Sequence, residues 1–425
     1  MKDSAGLPLI GVDALRLGMF VHVDLSWMSH PFPLNSFKIT SPDQITTIRS
    51  LGLNSLRWSP ERSELEPQDD SNPVGEPARD ALAAQAPAAR QAHREAVAAE
   101  RAASLLAERR YTEASRALRE TTLLVVNEPE RARDKAEQLA RTLIDGMLGD
   151  GELSIRAIVG TAGDRASAHG MNVAIVAMLM GRRLGLAEGE LADLGVGAML
   201  HDIGKIDLPE RVRWCDDSFD AAAVAHYRSH LAAGVAHGRR MGLTPGALLV
   251  IAQHHEQADG NGFPLGLNID RMSASARIVA LVNRLDNLCN PPLPSNALTA
   301  HEALSLMFAQ GQQQFDTTML SVLIKMVGVY PPGSIVQLTD DRYAQVVTVN
   351  ASRPLKPRIM VFDAAVPPDE ALLIDLEHCH GVGIRRSLKP TALPREAYDY
   401  LSPRPCVAYF FEPMRDFAPT GAGAA

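Results

Sequence analysis

Between Ala198 and Ile206 the chain reads AMLHDIGKI, an apolar run that carries an adjacent histidine and aspartate and, three residues after the aspartate, a lysine. Burying a carboxylate and an ammonium is costly unless each is paired or metal-bound. The chain must therefore fold an apolar shell round a satisfied polar centre. Asp202 and Lys205, at i and i+3, are close enough on a helical turn to share it.

Four further histidines stand in comparable surroundings. His169 precedes the apolar stretch NVAIVAML, and His230 is followed four residues on by Gly234, where a missing side chain admits a second helix or a ligand. His254 and His255 close the apolar signal LLVIAQ and run into the turn DGNGFP. Adjacent helical residues diverge by about 100°, so these two reach different ions or opposite sides of one pocket. Each histidine alone has an ordinary explanation as a packed or solvated side chain. Imidazoles plus carboxylate together suit iron, manganese, cobalt or zinc better than magnesium or calcium, and two ions can share such a set.

Around this centre the chain divides by composition. Residues 1–58 mix short β-like runs with one helix signal, in which Ser41-Pro42 opens the helix and Ile45, Ile48 and Leu51 share a face, so a small α+β module is expected. Residues 59–87 are rich in Glu, Asp, Pro and Ser and read as a linker. Residues 88–147, rich in Ala, Arg and Glu at helical spacing, read as two helices divided at Pro129, forming a solvated or coiled-coil-like connector. Residues 148–329 follow helical patterning and form a central all-α domain. Past Tyr330-Pro331-Pro332-Gly333 the runs SIVQLTD, YAQVVTVN, RIMVFD and ALLIDL make 330–415 a β-rich extension, with a frayed tail over 416–425.

The balance of 42 basic against 50 acidic residues, net −8, argues against binding a nucleic-acid polymer through bulk charge. Cys215, Cys289, Cys379 and Cys406 show no CxxC spacing, which indicates neither a disulfide framework nor a zinc ribbon and fits a reducing cytoplasm. The longest apolar run, Val173 to Met180, has eight residues, so no membrane-spanning helix is expected.

The HDIGK of 201–205, the HHE-x-x-D-G-x-G-F-P of 254–264, the histidine ahead of NVAIVAML and the H-x-x-x-G at His230 together resemble the HD-GYP family of metal-dependent phosphohydrolases, over roughly Asp164 to Met326. The segment with LRLGMFVHVD and SWMSHPF resembles a small domain of unknown function often placed ahead of such domains. The resemblance implies an HD-type helical bundle that hydrolyses the bacterial second messenger cyclic di-GMP. A hydroxide bridging two divalent transition-metal ions, iron or manganese, would be the attacking group. Carried over by motif position, His169, His201, Asp202, His230, His254 and His255 would be ligands, Asp202 also serving catalysis. Lys205 would contact the scissile phosphate, and Gly260, Gly262, Phe263 and Pro264 would shape the nucleotide pocket.

Four positions depart from the family pattern. Asn283 stands where the family has a metal-ligating aspartate, offering a neutral carbonyl oxygen and no negative charge, while Asp286 is retained. Phe263 replaces a tyrosine, and no Arg or Lys occurs from Leu285 to Gln314, where the family shows a basic stretch. Arg165 occupies the place of a glutamate found in three-metal members, which points to two ions. The alternatives are a cyclic di-GMP sensor or scaffold without turnover, and an HD phosphohydrolase acting on another nucleotide. Partners implied are cyclic di-GMP and signalling proteins such as diguanylate cyclases, and a homodimer through 88–147 stays open.

Overall fold

The computed structural model describes residues 8–23, 36–40, 42–51, 53, 55–63, 87–147, 153–159, 164–214, 219–310, 313–349, 355–379, 381–403 and 407–413. Most of the expected linker and the whole of the expected tail lie outside the described residues.

In the N-terminal module, strands β1 (Leu9–Gly11), β2 (Phe20–His22), β3 (Ser36–Lys38) and β4 (Ser55–Ser59) form an antiparallel sheet of order β1-β4-β2-β3, with helix α1 at Pro42–Ser50. Ile48 of α1 is fully buried with Val21, Ile39 and Leu56, and Ile45 and Leu51 pack on their edge, as the spacing predicts.

Helices α2 (Pro87–Leu124) and α3 (Pro129–Met147) break at Pro129 because the ring removes a backbone donor. They are not a solvated spacer. Ala132, Ala136, Leu139, Ala140, Leu143, Ile144 and Met147 of α3 are buried on one face, and Ala107, Tyr111, Ala114 and Leu118 of α2 join the same core. Each large apolar side chain buried there contributes about 1.5–3 kcal/mol. Alanine at the contact positions brings the helix backbones close without making the long apolar run that marks a core helix.

Strand β5 (Leu153–Val159) opens the central region and corrects the expectation of helix from Leu153 onward. Eight helices follow: α4 (Arg165–Arg183), α5 (Glu188–Met199), α6 (Ala221–Arg228), α7 (His230–Met241), α8 (Pro245–Gln253), α9 (Ala274–Cys289), α10 (Ala300–Gln310) and α11 (Thr317–Val327) among the described residues. Side chains of Asp164, Asp220, Thr244, Ser273 and Asp316 accept from backbone N–H groups in the first turns of α4, α6, α8, α9 and α11.

The chain ends in strands β6 (Ile335–Leu338), β7 (Tyr343–Thr348), β8 (Arg358–Val361), β9 (Leu372–Asp375) and β10 (Ile384–Leu388), helix α12 (Arg395–Leu401) and strand β11 (Val407–Pro413). β5 sits between β7 and β11, and pairs antiparallel with β11 from Val407↔Val159 to Pro413↔Leu153. Tyr409, Phe410 and Phe411 thereby enter the helical core, so the β-rich extension shares a core with the bundle. A buried guanidinium locks the junction: Arg156 of β5 pairs with Glu100 of α2 and Glu412 of β11.

Candidate metal centre

The last carbonyls of an α-helix lack intrahelical partners. Three histidines stand where helices end, and each turns Nδ1 back to the carbonyl three residues before it. His201 donates to Ala198 O at 2.7 Å, His230 to Tyr227 O at 2.6 Å and His254 to Ile251 O at 2.9 Å. His169, inside α4, donates through Nδ1 to Asp286 Oδ2 of α9 at 2.6 Å. Carbonyls and carboxylates only accept, so all four Nδ1 atoms carry a proton, and the neutral form of each ring presents its lone pair at Nε2.

Those lone pairs converge on Asp202. Its Oδ1 is 3.5 Å from His230 Nε2 and 3.5 Å from His254 Nε2, while its Oδ2 is 3.5 Å from His201 Nε2 and 3.7 Å from His169 Nε2. His169 Nε2 and His201 Nε2 are 3.2 Å apart. Two bare acceptors that close repel unless a cation stands with them. Buried Asp202 Oδ1, His230 Nε2 and His254 Nε2 have no hydrogen-bond partner among the described residues. The separations match the edge, about 3–3.5 Å, between ligands bound about 2.0–2.2 Å from one ion.

The donors fall into two sets, Asp202 with His230, His254 and His255, and His169 with His201 and Asp202, the atoms of each lying within 4.8 Å of one another. Asp202 belongs to both. Nitrogen-rich sets of this kind fit a divalent transition ion. Burial lowers His254 to about 3, and burial likewise lowers His230 and His255, so these rings stay neutral and able to coordinate. Burial opposes ionisation of Asp202, yet the Lys205 ammonium beside it holds its carboxyl well below the ordinary carboxylate value. Lys205 Nζ stands 2.6 Å from Asp202 Oδ2.

Glycines set the positions of these groups. A Cβ on Gly204 would lie 1.9 Å from His230 O and 2.4 Å from Gly234 N, so the HDIGK turn can press against α7 only with glycine there. A Cβ on Gly262 would meet Gln257 N and Glu256 Cα at 2.4 Å, which keeps the Gly260–Pro264 loop folded over the end of α8. Phe263 N–H donates to His255 O, and its ring stacks on His255 at 4.6 Å. Pro264 is exposed, and its peptide bond with Phe263 is cis.

Of the expected residues, the structure gathers His169, His201, Asp202, Lys205, His230, His254 and His255 at one centre, with Phe263 against it. Asn283 is buried on α9 and its Oδ1 accepts from Asn287 Nδ2 at 2.6 Å. Of the other histidines, His226 is exposed, and His237 Nε2 pairs with Asp207 Oδ2 at 2.8 Å.

Sequence reasoning missed several supports. Asp286 accepts from His169 and from Asn172 Nδ2 at 2.9 Å, and Tyr111 OH donates to Asn172 Oδ1 at 2.8 Å. Buried Glu256 accepts from Leu265 N at 2.7 Å and Leu267 N at 2.8 Å, holding the loop by two backbone amides. Trp214 and Tyr227 lie beside Lys205, with ring centres 5.1 and 5.2 Å from Nζ. Asn172 and Glu256 sat in the quoted motifs without a marking pattern, and Asp286 was read as a retained acidic position without a role. Trp214 had no signal.

Residues 155–319 match the HD domain, and residues 8–142 match a domain of unknown function, DUF3391. The chain is an HD-domain protein with a DUF3391 domain ahead of the HD domain. Among its relatives, a cyclic di-GMP phosphodiesterase of Pseudomonas aeruginosa is 26% identical, the match covering 84% of this chain and 86% of that protein. A cyclic di-GMP phosphodiesterase response regulator of Xanthomonas campestris is 31% identical over 35% of this chain and 40% of that one. A solved HD-G"Y"P protein from Bdellovibrio bacteriovorus is 15% identical, with TM-score 0.41, covering 74% of this chain and 97% of that one. No helix among the described residues is long and apolar enough to cross a membrane.

Proposed function

We propose that this chain is a metal-dependent phosphodiesterase that hydrolyses cyclic di-GMP. The observation that carries the reading is the convergence of four imidazole Nε2 lone pairs on the two oxygens of Asp202. Two relatives named as cyclic di-GMP phosphodiesterases support the choice of substrate. His169 and His201 would hold one ion, His230, His254 and His255 the other, and Asp202 would serve both; the donor set fits a divalent transition ion, and the resemblance to HD-GYP proteins favours iron or manganese. Divalent cations in such a centre supply a water of lowered pKa and neutralise charge on the phosphodiester.

The chain's own groups do the positioning. Asp286 fixes the tautomer and plane of His169, and the helix-end carbonyls do the same for His201, His230 and His254. Lys205, held 2.6 Å from Asp202, brings a cation beside the bound phosphate. The Phe263 ring covers one face of His255. Free thiols at Cys289 and Cys379 support the proposed cytoplasmic location.

A second reading, a dinucleotide sensor without turnover, draws on Asn283, whose amide brings no charge and whose oxygen already serves Asn287. Metal-loaded protein offered cyclic di-GMP and 3'3'-cGAMP, with products resolved by chromatography, tests both. Cleavage of cyclic di-GMP in preference supports the first reading. Preference for 3'3'-cGAMP changes the substrate, and binding without cleavage favours the sensor.

A further inference from the structure

A cyclic dinucleotide carries two phosphodiesters. If one lies at the metal centre beside Lys205, the other needs a cation elsewhere, and α9 and the residues after it supply none from Leu285 to Gln314. Two arginines on other elements stand at the rim of the centre, each set against an aromatic ring. Arg165 opens α4, one turn before His169. Its Nη2 donates to Asn290 O at 2.5 Å, and its guanidinium carbon lies 4.5 Å from the centre of the Trp214 ring. Lys205 Nζ lies 5.1 Å from the same ring, so one indole places two cations within about 10 Å of each other.

Arg228, exposed two residues before His230, holds its guanidinium 4.6 Å from the Phe263 ring, and Phe263 in turn stacks on His255 at 16° between planes. It makes no ion pair with a carboxylate among the described residues. Each arginine is thus one aromatic ring away from a residue of the centre. The Phe263 ring beneath the Arg228 guanidinium limits its rotamers, and the exposed side chain suits bidentate contact with phosphate at a lowered ordering cost on binding, while Arg165, with Nη2 on Asn290 O, adds positive charge beside Lys205.

Building on the cyclic dinucleotide reading, we propose that Arg228 grips the phosphodiester that is not cut, with Arg165 adding positive charge from the Trp214 side, in place of the basic stretch this chain lacks after Asp286. The test compares the full metal-loaded chain with Arg165→Gln, Arg228→Gln, the double variant and the two lysine variants. Affinity for cyclic di-GMP is read by calorimetry, alongside turnover and metal content. Each glutamine variant is expected to weaken binding at least fivefold and the double variant at least thirtyfold, with metal content as in the wild type and only partial recovery with lysine. Affinities within twofold of the wild type, or loss of metal together with affinity, would overturn the proposal. Wild-type protein that binds without cutting removes the hydrolytic reading and leaves the grip to be decided by the variants' affinities. Wild-type protein that does not bind removes both.

Discussion

His169 donates through Nδ1 to Asp286 Oδ2 at 2.6 Å, and the other oxygen of Asp286 accepts from Asn172, itself bonded to Tyr111 OH of α2. A ligand-bearing helix is thereby tied to α9 and to the helix that arrives from the N-terminal side. Asp286→Ala removes the acceptor that fixes the His169 ring. Metal affinity is expected to fall about 10–100-fold, measured by competition with a chelating dye. Unchanged affinity would show that the ring is held by packing alone.

Asn283 gives a prediction of opposite sign. Asn283→Asp adds a negative charge on α9 and keeps an oxygen for Asn287 Nδ2, 2.6 Å away. Divalent ions are expected to bind about tenfold more tightly, a change worth about 1.4 kcal/mol, in the same competition assay. Weaker binding would mean that the buried charge is not shared with an ion.

The Glu256 carboxylate accepts from Leu265 N and Leu267 N. Glu256→Gln replaces one acceptor oxygen with a donor facing a backbone donor, which costs about 1.5–3 kcal/mol. Amide exchange is expected to quicken across residues 259–267, and KM for the dinucleotide to rise more than kcat falls. Exchange at the wild-type rate would locate loop order elsewhere.

At the sheet junction, Arg156 donates through Nε to Glu412 at 3.0 Å and through Nη1 to Ser104 at 3.1 Å, and pairs with Glu100. Burial disfavours its charge, but Glu100 and Glu412 more than offset this and raise its pKa. Arg156→Met leaves Glu100 buried and Glu412 partly buried without their partner, so a loss of about 3–5 kcal/mol is expected, read from urea unfolding. A loss under about 1 kcal/mol would mean that Arg358, 3.9 Å from Glu100, takes over the pairing.

Much of the centre was legible because buried charge leaves few choices: AMLHDIGKI demanded a satisfied Asp202, and the structure surrounds it with four imidazoles. Gly234 was read as a close approach, and its partner is Gly204. Strand β5 was not legible because its pairing residues, Val407 to Pro413, lie some 250 positions away. The core role of α2 and α3 was hidden by alanine, which favours a helix and says little about what the helix packs on. Arg165 on Trp214 is likewise a contact between distant segments without a sequence period.

The decisive measurement is the metal content of anaerobically purified protein, taken together with cyclic di-GMP turnover on the same sample and on Asp202→Asn. Two transition-metal ions per chain with turnover, both lost in Asp202→Asn, is the expected result, since Asp202 faces both donor sets. A wild-type chain that holds no ion, or that cuts cyclic di-GMP as well after Asp202→Asn, would contradict a shared carboxylate at a two-ion centre.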